Sequence, residues 1–143
     1  MGATGSDADR LLGFWRLVSI QARMEDTGEL LDLYGPDPRG SIVFGAGRMA
    51  VVVAASGRAP PADEAGVASA FRGMMAYTGR YTVEGDRIVT EVDAAWHPAW
   101  ENTRQPRFFT LEGDRLTLTT DVQGHPLFPG RLGRGVVVFA REP

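Results

Sequence analysis

Glu91, Asp93, Trp96, His97, Trp100 and Arg104 crowd into one short stretch, the densest run of reactive side chains in this chain. Glu91 and Asp93 stand two residues apart, so on a strand they share one face, with Cα atoms about 6.5–7 Å apart. Against an apolar interior, desolvation and mutual repulsion would hold a proton on one of them. That suits general acid–base work on a carbonyl, enol or alcohol. The opposite face carries Ile88, Val92, Ala94 and Trp96; if that face is the inner one, the carboxylates are simply solvated. His97 precedes Pro98 and so sits in an extended or turning segment, either as a proton carrier or as an ordinary loop histidine. His125 also precedes a proline and reads the same way. The histidines have no ligand-like spacing and there is no cysteine, so no metal site is expected. Arg107 alternates with Phe109 and Leu111. Directed inward it would bind a carboxylate or polarise a carbonyl; directed outward it meets water. Tyr77, Tyr81, Trp96 and Trp100 offer apolar area with a polar tip, to a ligand or to the core.

An all-β frame is needed to bring these residues together. The turn Glu84-Gly-Asp-Arg87 joins strands over Tyr77–Glu84 and Arg87–Ala95. Its repeat, Glu112-Gly-Asp-Arg115, joins Pro106–Glu112 to Arg115–Asp121. Glycine at the first central position suits a type II′ hairpin. Alternating or β-branched runs add strands from Gly13 to Arg23, over Ser41–Phe44, over Arg48–Ala54 and over Gly135–Arg141. One segment breaks the pattern. Asp63 stands where an N-cap belongs, and Val67, Phe71, Met74 and Met75 fall on one helical face, predicting a short helix from Asp63 to Met75. It reads as a plug on one barrel end or as a lid whose Phe71, Met74 and Met75 touch ligand. About eight strands at hairpin spacing predict an up-and-down antiparallel β-barrel with this helix over one end. Such a barrel either fills with side chains or holds one small ligand.

A chain of 143 residues suits one domain. We expect a loosely ordered segment over residues 1–10 and the barrel over 11–143. The net charge of −3, from 15 basic and 18 acidic residues, gives no footprint for nucleic acid. No apolar run is long enough to span a membrane, and no leader peptide is evident. With no cysteine, this fits a cytoplasmic setting. Neither a phosphate-cradling glycine loop nor a Gly-X-Ser-X-Gly elbow is present.

The ordered series Gly13-X-Trp15-X-Leu17, Tyr34-Gly-Pro-Asp-Pro-X-Gly40, Gly47-Arg-Met49, Ala76-Tyr-Thr-Gly-X-Tyr-X-Val83, Pro98-X-Trp100, Arg107 and Gly113-Asp-X-Leu-X-Leu118 spans nearly the whole chain. It resembles the small lipocalin-like domain proteins of bacteria and fungi. The resemblance implies a lipocalin-type barrel with an apolar cavity, and an arginine of the last strand, Arg141, packed over the opening Trp15. Members often carry histidine around Thr90-Glu91; this chain does not, so no histidine role carries over.

The resemblance and the polar residues near Trp96 lead to an expectation of a lipophilic small molecule bound in the barrel, with no cofactor. The reaction expected is a cyclisation, isomerisation or dehydration in natural-product metabolism. Glu91 or Asp93 would be acid or base and Arg107 the anchor. Phe71, Met74, Met75, Tyr77, Tyr81, Trp96, His97, Trp100 and Phe109 would contact the ligand. The alternative is a carrier that performs no chemistry. Dimerisation through an outer barrel face stays open.

Overall fold

The computed structural model describes residues 6–124 and 128–143, so His125 lies outside the described residues. Its nine strands are β1 (Gly13–Met24), β2 (Leu30–Asp32), β3 (Arg39–Phe44), β4 (Arg48–Ala54), β5 (Met74–Glu84), β6 (Arg87–Ala95), β7 (Arg104–Glu112), β8 (Arg115–Thr119) and β9 (Gly133–Arg141). All adjacent pairs are antiparallel. β1 pairs with β9 from Trp15 to Met24. Its other edge is shared: β3 takes Gly13 to Arg16 and β2 takes Gln21 to Arg23. Eight strands, β1 and β3 to β9, therefore close a barrel, and the short β2 completes the rim beside β3. Among the described residues, closure leaves no long strand edge unpaired. The expected eight-stranded up-and-down barrel is what forms.

The strand phases explain the closure. Met49, Val51 and Val53 alternate inward on β4, and Trp15, Leu17, Ile20, Ala22 and Met24 are buried on β1. The shift from odd to even positions on β1 coincides with an irregularity between Leu17 and Ser19. Both hairpin turns hold their glycine at positive φ, 65° for Gly85 and 62° for Gly113, a conformation other residues resist.

The barrel's two ends differ. At one lie the tight β3–β4, β5–β6 and β7–β8 turns and the start of β1. A helix docks there, α1 (Asp7–Leu11), with Leu11 fully buried in the core. Ser6 caps it, accepting from the Asp9 N–H. The segment expected to be loosely ordered thus contains this helix from residue 7. The opposite end carries the longer connections and α2 (Glu64–Arg72). Asp63 caps α2 as expected, accepting from the Gly66 N–H at 2.8 Å. The helix is shorter than its apolar periodicity suggests. Gly73 ends it by bonding back to Ser69, and Met74 and Met75 pair with Ala54 and Val53 as the first residues of β5. No side chain of α2 is buried; Val67 and Phe71 stay exposed on its apolar face. α2 sits at the barrel mouth without plugging it. No helix among the described residues is long and apolar enough to cross a membrane.

Candidate functional site

The direction of β6 decides which chemistry the interior can hold. Ile88, Thr90 and Val92 point inward and are buried, while Glu91 and Asp93 are exposed outside. A bulge opposite Thr78 and Gly79 then turns Asp93 and Ala94 both outward, and Ala95 returns to the core. The backbones are close here: a Cβ on Gly79 would lie 2.2 Å from the Glu91 carbonyl oxygen. The alternative of an interior carboxylate pair is therefore corrected. Glu91 sits between Arg80 and Arg104 in cross-strand register, and Arg104 reaches Glu84 at 3.3 Å. Asp93 accepts from the Thr78 hydroxyl at 2.6 Å and pairs with Arg48. Those two partners, the Thr78 hydroxyl foremost, hold Asp93 below the usual carboxylate range. This is a solvated belt of alternating charge on the outer wall, with little desolvation to sharpen it.

A different set converges at the mouth. The β6–β7 connection folds back on the barrel, with Asn102 donating to the Val92 carbonyl and Val92 donating to that of Thr103. Within it a single 3-10 turn, Pro98–Trp100, is capped by His97, whose Nδ1 accepts from the Ala99 N–H at 3.1 Å. That bond leaves Nε2 as the nitrogen carrying the proton in the neutral ring. The turn sets Trp100 against Tyr77 of β5, ring centroids 5.5 Å apart, and against Trp96 at 5.3 Å. Trp96 continues to Phe71 of α2 at 6.2 Å, and His97 lies 5.6 Å from the same phenyl ring. The result is a ladder of rings. It starts at Phe71, 40% exposed, passes through half-buried Trp96 and Trp100, and ends at buried Tyr77.

Arg107 enters this ladder from β7. It is in register with the inward Ile88 and lies two residues from the buried Phe109, so it points inward, and its guanidinium carbon sits 5.9 Å from the centre of the Trp100 ring. Its Nη1 donates to the Pro106 carbonyl at 2.8 Å and lies 3.5 Å from Gln105 Oε1. Gln105 is itself oriented, since its Nε2 donates to Thr103 Oγ1 at 2.9 Å. Thr103 in turn donates to the Trp100 carbonyl at 2.5 Å. Among the described residues no carboxylate pairs with Arg107, and no partner meets the Tyr77 hydroxyl. Burial raises the pKa of that phenol and the nearby Arg107 charge opposes the rise, so the hydroxyl is a neutral donor at neutral pH.

Phe71, Tyr77, Trp96, His97, Trp100 and Arg107 are thus brought together. Tyr81 and Phe109 go elsewhere. Tyr81 packs edge-on against Phe44 and donates to the Gly45 carbonyl at 2.8 Å, at the α1 end, and Phe109 is core. Met75 packs on the core from β5, and Met74 is half-buried beside it. Gln105 and Thr103 escaped the sequence reading. Their only signal was polarity at alternate positions beside Arg107, a pattern that solvated residues share. No group of metal-ligating residues exists among the described residues.

A family model described as a lipocalin-like domain matches residues 12–142. No curated protein and no solved structure matches the chain.

Proposed function

The chain belongs to the lipocalin-like domain family, and from that premise we propose that it binds a small apolar molecule at the aromatic mouth. The observation that carries this reading is the ring ladder from exposed Phe71 to buried Tyr77. It offers a graded apolar path inward, ending at donors of Arg107 and Tyr77 that meet no acceptor among the described residues. A binding site takes its affinity from apolar contact and its orientation from a few placed polar groups, and the ladder with its donors supplies both. The uncovered apolar face of α2 adds to the surface such a ligand would cover.

A second reading, cofactor-free cyclisation, isomerisation or dehydration in natural-product metabolism, rests on the same two donors. Arg107 and Tyr77 can polarise a carbonyl while the rings hold a flexible substrate in a reactive conformer, a contribution worth several kcal/mol. Glu91 and Asp93 take no part in it.

The binding test is a titration with the neutral dye N-phenyl-1-naphthylamine, which brightens in apolar surroundings. Saturable one-to-one binding is expected, weakened by Trp100→Ala and by Phe71→Ala. Leu12→Ala, at a leucine as exposed as Phe71 but at the α1 end, should leave it unchanged. Equal loss in all three variants, or no saturation, would remove the mouth as the site. Catalysis is tested separately, by recovering a bound candidate substrate and asking whether it has changed.

A further inference from the structure

With the mouth as the binding site, as proposed above, the open edge of Arg107 says more about the ligand than that it is apolar. Both protein acceptors near this guanidinium, the Pro106 carbonyl and Gln105 Oε1, face Nη1. The opposite edge, Nε–H and one Nη2–H, has no acceptor among the described residues. Those two hydrogens are parallel and match the two oxygens of a carboxylate, whereas a single carbonyl oxygen would leave one of them unmet. The Tyr77 hydroxyl, on a buried ring but itself reached by solvent and without a partner among the described residues, supplies a third donor of the same polarity, close enough to feel the Arg107 charge. Nothing in the cluster offers a charged acceptor, and Arg107 is its single fixed cation. The site therefore balances one negative charge, and a dianion would carry an uncompensated charge into an apolar mouth.

We infer that the molecule bound is an apolar monocarboxylate, its two oxygens on the Nε–Nη2 edge of Arg107 and its body laid along Trp100 and Trp96. Gln105 is a positioning residue: held by Thr103, it draws Nη1 toward itself and so turns the free edge toward the ligand.

The experiment displaces N-phenyl-1-naphthylamine with three matched compounds, 2-naphthoate, methyl 2-naphthoate and 2-naphthyl phosphate. On the unaltered protein, 2-naphthoate should displace the dye at a concentration at least ten-fold below the ester, and below the phosphate. Arg107→Lys keeps the charge and loses the fork, so it should close most of the gap between acid and ester. Trp100→Ala should weaken acid and ester alike. Acid and ester binding equally would overturn the carboxylate assignment while leaving the mouth as an apolar site. Tighter binding of the phosphate would overturn the monoanion. Failure of the dye itself to bind removes the site, and the inference with it. The acid–ester comparison needs no variant, so it holds whether or not Arg107→Lys folds well.

Discussion

An arginine lies against a tryptophan at each end of the barrel, and the two pairs are in opposite condition. At the α1 end Trp15 is fully buried, its indole N–H donates to the Leu11 carbonyl at 2.8 Å, and the Arg141 guanidinium sits 4.1 Å from its ring centre. Arg141 has an acceptor or counter-charge at each of its three nitrogens: Nη1 and Nη2 donate to the Leu12 and Arg10 carbonyls, and Nε lies 3.7 Å from Asp114. At the mouth, Trp100 is half-buried and Arg107 keeps one whole edge without an acceptor among the described residues. The same two residue types are a clasp where every guanidinium nitrogen has a protein neighbour and a receptor where one edge is left open. What separates them is whether nearby backbone folds back to supply acceptors. α1 does so for Arg141; the strand beside Arg107 offers only Pro106 and Gln105, both on one side.

The contrast breaks most readily through the buried ring. Trp15→Ala should cost about 3–5 kcal/mol of stability, since it empties a fully packed site and unseats Leu11 and Arg141. Trp100→Ala should cost less than half as much and weaken dye binding. Denaturant midpoints would check both, and similar losses for the two would erase the distinction. Next in size, Arg141→Lys should cost about 1–2 kcal/mol, because an ammonium cannot serve two carbonyls and cover a ring at once. Arg107→Lys should shift stability by under about 0.5 kcal/mol and act on ligand affinity alone. Smallest of all, Glu91→Gln should change neither stability, beyond about 0.5 kcal/mol, nor binding.

Acid titration sharpens the same point for the outer wall. Asp26, held by Arg131, and Asp93, held by Thr78 and Arg48, both have folded-state pKa values below the usual one. Each therefore favours the folded state above roughly pH 4 and loses that contribution as pH falls through its folded value. Thermal unfolding should be flat from about pH 5 to pH 8 and decline below pH 4. Asp93→Asn should flatten part of that decline while leaving dye affinity at pH 7 untouched.

Much of the frame was legible because it rests on local necessities. The two Gly-Asp turns need positive φ at glycine, Asp63 is a good cap, and the pairing of Trp15 with Arg141 accompanies the Gly-X-Trp opening. The end of α2 was readable too, had Gly73 been weighed against the periodicity that runs through it to Met74 and Met75. The mouth was legible as a set of aromatic residues around Trp96, but their order was not. That order comes from the β6–β7 connection folding back, which depends on bonds between Val92, Asn102 and Thr103 and on no local pattern. Tyr81 and Phe109 resemble the ladder residues in type and differ only in which end, or which layer, the strands carry them to.

The bulge in β6 acts as a change of reading frame. Before it, even-numbered residues face inward (Ile88, Thr90, Val92); after it, an odd one does (Ala95). Extended back toward the hairpin, that second frame would turn Asp93 and Glu91 into the lumen. One extra residue, slid a few positions along a strand, thus separates a barrel lined with a pair of acids from one whose fixed interior charge at the mouth, among the described residues, is the positive Arg107. Composition would be identical in both; only the frame would differ.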